Sequence, residues 1–193
     1  MTSRRFPPAD LRRMGEALRA ARDAGRRGEV PVGALIVDAS GRRLGIGANR
    51  TLRDTDPTAH AEMVALRRAA RRAGNYRLTG ATVYCTLEPC PMCLGALLHS
   101  RVGRLVYAAA DRKGGGISLG ICPWQGANHR FEVSGGARAE EAAVLLRAFF
   151  RARRYGRSDA AALLAPKAAR LPSRRFRRPA RPQPRASALR GRS

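Results

Sequence analysis

Apolar positions recur along the first 156 residues with two rhythms that take turns. Leu11, Met14, Leu18 and Ala21 fall three and four apart, the spacing of a helix that buries one face. Pro7-Pro8 precede that run and Gly25 and Gly28 close it, so the pattern predicts a first helix. Residues 32–37 and 43–48 are short apolar runs around a turn at Ser40-Gly41 and predict two strands. A second helix is expected from Asp56-Pro57-Thr58 to Gly74, since Asp caps well and Pro suits a first helical position. A strand at 81–86, a helix at 91–100 and short strands at 104–108 and 130–133 follow. The last element is an amphipathic helix over 137–154, with Val144, Leu145, Ala148, Phe149 and Ala152 on one face. Strands interleaved with helices predict an α/β domain with a covered sheet.

Composition adds a boundary. The chain has 193 residues, 38 of them Lys or Arg against 14 Asp or Glu, for a net charge of +24. Only Lys113 and Lys167 are lysines, so the excess is almost wholly arginine. A charge of this size points to a polyanion, nucleic acid before membrane surface. From 157 to 193 the basic residues face Asp159 alone, five prolines interrupt the chain, and large apolar residues become sparse. Like charges repel and repeated Pro breaks helices, so this stretch is expected to be a disordered basic tail behind a domain spanning 1–156. The 44% apolar content excludes a wholly disordered protein. No apolar run approaches a membrane span, and the first 13 residues lack the apolar stretch of a secretory signal. Close cysteine spacing without an export signal favours metal over disulfide, and the expectation is a cytoplasmic protein.

The chemistry concentrates in His60-Ala61-Glu62 and Cys90-Pro91-Met92-Cys93. A Cys-x-x-Cys pair alone fits a redox centre, half a structural zinc site or chance, and a lone His near a helix start is commonly structural. Together they offer Cys2His, a borderline-soft set that suits zinc and leaves a fourth position open, as catalytic sites do. Residues two apart on a helix point to opposite sides, so His60 and Glu62 can converge only at its first turn, where side chains reach over the open end. Pro91 places Cys90 at the start of another helix, and helix N-termini favour thiolates. Glu62 turns such a site towards hydrolysis: zinc lowers the pKa of a bound water to about 7, and a neighbouring carboxylate outside the ligand set can carry its proton.

This arrangement matches a known signature, H-x-E followed by P-C-x-x-C, of the zinc-dependent nucleobase deaminases. The sequence more closely resembles the bacterial tRNA-specific adenosine deaminases, a family already included in that signature. Gly28-Glu-Val-Pro-Val-Gly-Ala34, Asp56-Pro-Thr-Ala-His-Ala-Glu62, Asn75-Tyr-Arg-Leu78, Thr86-Leu-Glu-Pro-Cys90 and His99-Ser-Arg101 carry the resemblance. Asn128-His-Arg130 and Phe149-Phe150-Arg-Ala-Arg-Arg154 extend it, so that it covers roughly residues 8–156. It implies a three-layer αβα, cytidine-deaminase-like fold with a five-stranded mixed sheet between helices. It also implies one zinc per subunit on His60, Cys90 and Cys93, Glu62 as proton shuttle, Asn49 holding the flipped base and Asp111 beside the target strand. The implied activity is hydrolysis of the wobble adenosine to inosine in the tRNA anticodon stem-loop, by a homodimer. The stretch between Gly114 and Ala127 departs from the family loop, and the segment from 157 onward has no counterpart there.

Blander roles are expected elsewhere. Cys85, between Tyr84 and Thr86, reads as a buried small residue rather than a ligand. Gly114 to Gly116 lack a following Gly-Lys-Ser/Thr and are not a phosphate-binding P-loop. His99 and His129 fit RNA, a dimer partner or structure equally; Trp124 fits a base stack or a loop plug, and Cys122 has no assigned role. Two rivals to tRNA editing remain: deamination of a small base such as guanine or cytosine, and a non-catalytic RNA-binding subunit with structural zinc. The basic body argues against the first and the intact Glu62 against the second.

Overall fold

β1 (Gly33–Val37) and β2 (Arg43–Ala48) form an antiparallel hairpin at one edge of a five-stranded sheet. β3 (Thr82–Leu87) pairs antiparallel with β1 and parallel with β4 (Arg104–Ala109), and β5 (Glu132–Gly135) continues parallel at the far edge. The structure is a computed structural model that describes residues 6–121 and 126–155; the expected tail at 157–193, Cys122 and Trp124 lie outside the described residues.

Successive side chains of a strand point to opposite faces, and both faces here are apolar. Leu35, Val37, Tyr84 and Val106 pack against Met14, Ala17 and Leu18 of α1 (Pro8–Arg26) and Ala142 of α5 (Ala139–Tyr155). Ala34, Ile36, Val83 and Leu105 meet Ala61, Ala65 and Ala69 of α3 (Ala61–Ala73) and Leu94 and Leu97 of α4 (Pro91–His99). The outcome is the expected mixed sheet between two helix layers. On the α1 face the buried Asp10 accepts hydrogen bonds from Tyr84 Oη (2.7 Å) and from both terminal nitrogens of Arg104 (3.1 and 2.8 Å), which pairs a charge that would otherwise be costly to bury.

Two expectations need correction, and one element is new. The second helix begins at Ala61, not at Asp56. The Asp56 carboxylate instead accepts from the Thr58 N–H and hydroxyl (both 2.7 Å), closing a turn of its own, and His60 is extended (φ −65°, ψ 157°) as the residue before the helix. The last strand is displaced to Glu132–Gly135 from the expected 130–133, since the Glu132 N–H first bonds to Gly103 O (3.0 Å). A short helix, α2 (Thr51–Asp54), was not anticipated. Buried Glu29 caps it from a distance, accepting from Thr51 Oγ1 (3.2 Å), Leu52 N (3.3 Å) and Arg53 N (2.8 Å).

Candidate active site

Two helices on the same face of the sheet bring their N-termini together. His60 stands immediately before α3 and Cys90 immediately before α4, both with extended backbone (ψ 157° and 169°). At such positions a side chain leans over the open helix end rather than along its flank. His60 Nδ1 lies 3.6 Å from Cys90 Sγ and 3.6 Å from Cys93 Sγ, and the three ligand atoms fall within 4.8 Å of one another. Zinc bonds of about 2.05 Å to nitrogen and 2.3 Å to sulfur, at a tetrahedral angle, separate those atoms by about 3.6 Å. The donor set and its spacing therefore fit zinc. The sequence expectation sets His60 and Glu62 in the first turn of a helix begun at Asp56-Pro57; the structure keeps Glu62 in the first turn of α3 and puts His60 just before it, in extended conformation.

Glu62, in the first turn of α3, is buried beside these atoms, and burial pushes its carboxyl up to about 7. A hydrogen bond from Cys93 pulls the Cys90 thiol down to about 4, while the same bond and burial push Cys93 up. The neighbouring Cys90 raises His60. Cys85 is fully buried in β3, with its thiol pushed up by burial, and stands outside the ligand group. The buried, non-ligand reading of Cys85 holds.

The chain entering Cys90 is tied to the loop after β4 by a residue the sequence reading passed over. Buried Glu88 accepts from Asp111 N (3.0 Å), Ser118 N (2.6 Å) and Ser118 Oγ (2.6 Å), and Gly116 N donates to Pro89 O (2.9 Å). Asp111 sits half-buried at the root of that loop, where its Oδ1 accepts from Lys113 N (3.0 Å) and Gly114 N (3.1 Å). A Cβ on Gly115 would overlap the Glu88 carboxylate, so these glycines pack the loop rather than cradle an anion. His129 bonds through Nε2 to Val102 O (2.8 Å), a structural role, whereas His99 is exposed at the end of α4.

Asn49 follows β2, with its N–H on Val32 O (3.1 Å) and its amide free of hydrogen bonds among the described residues. The next N–H, of Arg50, bonds to Ala59 O (3.0 Å), so this segment runs beside the residue preceding His60. The structure thus brings His60, Glu62, Cys90 and Cys93 into one centre, runs the segment after Asn49 beside Ala59, and places Asp111 on the loop packed against the Cys90 segment.

Comparison with known proteins agrees with this centre. Residues 8–109 match the family model of the cytidine and deoxycytidylate deaminase zinc-binding region. The chain is 45% identical over 157 residues to the tRNA-specific adenosine deaminase of Haemophilus influenzae, covering 80% of this chain and 91% of that protein. It is similar to a solved structure from studies of A-to-I editing by tRNA:A34 deaminases at the wobble position of transfer RNA. There the identity is 42% and the TM-score 0.64, covering 69% of this chain and 97% of the other. A guanine deaminase from Nitrosomonas europaea is similar at 25% identity and a TM-score of 0.63, covering 77% of this chain and 96% of that one.

Proposed function

The chain belongs to the tRNA-specific adenosine deaminases, within the cytidine and deoxycytidylate deaminase family, and from that premise we propose how its own residues perform the reaction. It is a zinc-dependent hydrolase that converts the wobble adenosine of tRNA, position 34, to inosine. His60 Nδ1, Cys90 Sγ and Cys93 Sγ hold one zinc per subunit, on the strength of their mutual spacing. Bound zinc supplies a Lewis acid that brings a water's pKa near 7.

Glu62 moves the protons. As the water oxygen bonds to C6 of adenine, Glu62 accepts one water proton and delivers it to N1. It then takes the second from the new C6 hydroxyl and passes it to the exocyclic amino group, so that the C6–N bond breaks and ammonia leaves. Burial in the first turn of α3, beside the ligand atoms, sets the Glu62 carboxyl where it can pass a proton in either direction. Asn49 offers the base an amide not engaged elsewhere, and Asp111 stands on the loop beside the incoming strand. The anticodon loop delivers the base splayed out of its stack.

The enzyme works as a homodimer in the cytoplasm. Exposed Met92, in the first turn of α4, and exposed Leu119 and Ile121, on the loop packed against it, support an apolar interface beside the metal ligands. Among the described residues no helix is long and apolar enough to cross a membrane. Residues 1–156 form the deaminase domain, and the arginine-rich 157–193 segment adds contacts to RNA phosphates.

The observation that carries this reading is the Cys2His triangle at tetrahedral zinc spacing with buried Glu62 beside it. Incubating the zinc-loaded protein with bulk tRNA and searching anticodons for inosine tests it. The likeness to guanine deaminase gives the rival, and ammonia release from free guanine in the absence of inosine would favour that instead.

A further inference from the structure

Beyond Asn49, on the side of α1, the surface opens into two adjoining cavities lined by arginine. The first, of about 330 Å³, is bordered by Asn49, Arg27, Arg50, Arg53 and Arg68. The second, of about 380 Å³, shares Arg27 and Arg68 and adds Arg19 and Arg43.

Each acidic residue in the same walls has a partner, and the partners of Glu16 include Arg43 of the same cavity. Glu29 caps α2, Glu16 pairs with Arg13 (2.8 Å) and Arg43 (3.8 Å), and Asp23 pairs with Arg26. Asp54 takes Arg50 (2.9 Å) and lies 3.8 Å from Arg53. Arg19 and Arg27 form no ion pair among the described residues, and Arg68 has only the carbonyl of Ile46, at 2.7 Å. Arg50 Nε is the one buried side-chain nitrogen or oxygen among the described residues without a hydrogen-bond partner. Guanidinium forks match phosphate oxygens in geometry and charge, and a cavity concentrates their field.

Position selects which phosphates. Asn49 lines the first cavity, and the Arg50 N–H to Ala59 O bond joins its wall to the residue before His60. A strand whose base reaches Asn49 would run its backbone into these cavities. We propose that the paired cavities form a phosphate subsite for the RNA backbone flanking the edited nucleotide. This rests on the tRNA reading above and assigns a track to its backbone.

The test measures binding of labelled whole tRNA to the full zinc-loaded protein across a range of salt. Wild type is compared with Arg27→Ala/Arg68→Ala, with Arg27→Lys/Arg68→Lys, and with Arg12→Ala/Arg147→Ala, which removes equal charge from exposed positions away from the cavities. Loss of two phosphate contacts should flatten the slope of log K against log salt by about 1.4. The lysine pair should keep the wild-type slope, and so should the Arg12/Arg147 variant. Thermal melting checks that each variant is folded. Wild-type slope in the Arg27→Ala/Arg68→Ala variant, or the same flattening in the Arg12/Arg147 control, would overturn the subsite. Failure of the deaminase reading shows separately, as tRNA binding without inosine, and the slopes still decide the cavity.

Discussion

Gly47 of β2 and Ala61 at the start of α3 are in backbone contact: a Cβ on Gly47 would overlap the Ala61 carbonyl oxygen and lie 2.5 Å from Ala65 N. Gly45, two residues earlier on the same face, meets Ala69 N in the same way, at 2.8 Å. These two glycines let α3 lie flat on β2, which fixes the start of α3, where His60 precedes the helix and Glu62 lies in its first turn.

Gly47→Ala should therefore force α3 away from the sheet. Overpacking of this kind costs about 1–3 kcal/mol, and here the displacement reaches the metal ligands, so activity should fall with stability. Gly95→Ala, in α4 with nothing within 4 Å of the added methyl, should be neutral or stabilising by up to about 1 kcal/mol. Thermal unfolding and zinc content of the two variants check the contrast.

Glu62→Gln keeps the size of the side chain and removes the proton shuttle. It should retain stoichiometric zinc and the fold while turnover drops by about 10² to 10⁴. Metal content and initial rate on an anticodon hairpin are measured on the same preparation. Zinc lost together with activity would place Glu62 among the ligands.

Cys90→Ser and Cys93→Ser should each lose zinc and, because metal binding is coupled to folding, lose stability as well. Cys85→Ala should bind zinc normally and pay only for a small buried cavity. Chelation of the wild type should lower its melting temperature. A Cys85→Ala protein drained of metal beside a zinc-replete Cys90→Ser protein would refute the ligand set.

The clamp between α1 and α5 predicts a pH dependence. Burial pushes the Glu141 carboxyl up, but Arg138 (2.7 Å) and Arg22 (2.7 Å) outweigh it and hold the group below its ordinary value. A lowered folded pKa contributes stability above the unfolded value, and that contribution is lost as pH falls through the folded one. Glu141→Gln should thus be less stable than wild type at neutral pH, by no more than about 1 kcal/mol for an exposed pair. The gap should close in acid. A gap that widened as pH fell would reverse the sign and contradict the assignment.

Most of the centre was legible because its signals are local. His60, Glu62, Cys90 and Cys93 lie in two short motifs, and the first-turn argument needs only their spacing. The start of α3 was not, since Asp56 and Pro57 carry a strong helix-start signal that the Thr58 side chain diverts into a turn. Glu29 and Glu88 were missed for a different reason. Their partners sit at 51–53 and at 111–118, far along the chain, and only folding brings them together. The one local clue was a carboxylate bordering apolar residues, Glu29 before Val30-Pro31-Val32 and Glu88 between Leu87 and Pro89. The arginine-lined cavities were equally invisible, because arginines at 27, 50, 53 and 68 read singly as a solvated surface.

The central claim is that this chain deaminates adenosine in an anticodon, and product analysis tests it most directly. Zinc-loaded wild type and Glu62→Gln are incubated with two hairpins, one bearing adenosine at the wobble position and one bearing it elsewhere in the loop. Nucleoside digestion then quantifies inosine. Inosine confined to the wobble hairpin, and nearly absent with Glu62→Gln, is the predicted result. No inosine from zinc-replete wild type, or equal amounts from the two proteins, would contradict the account.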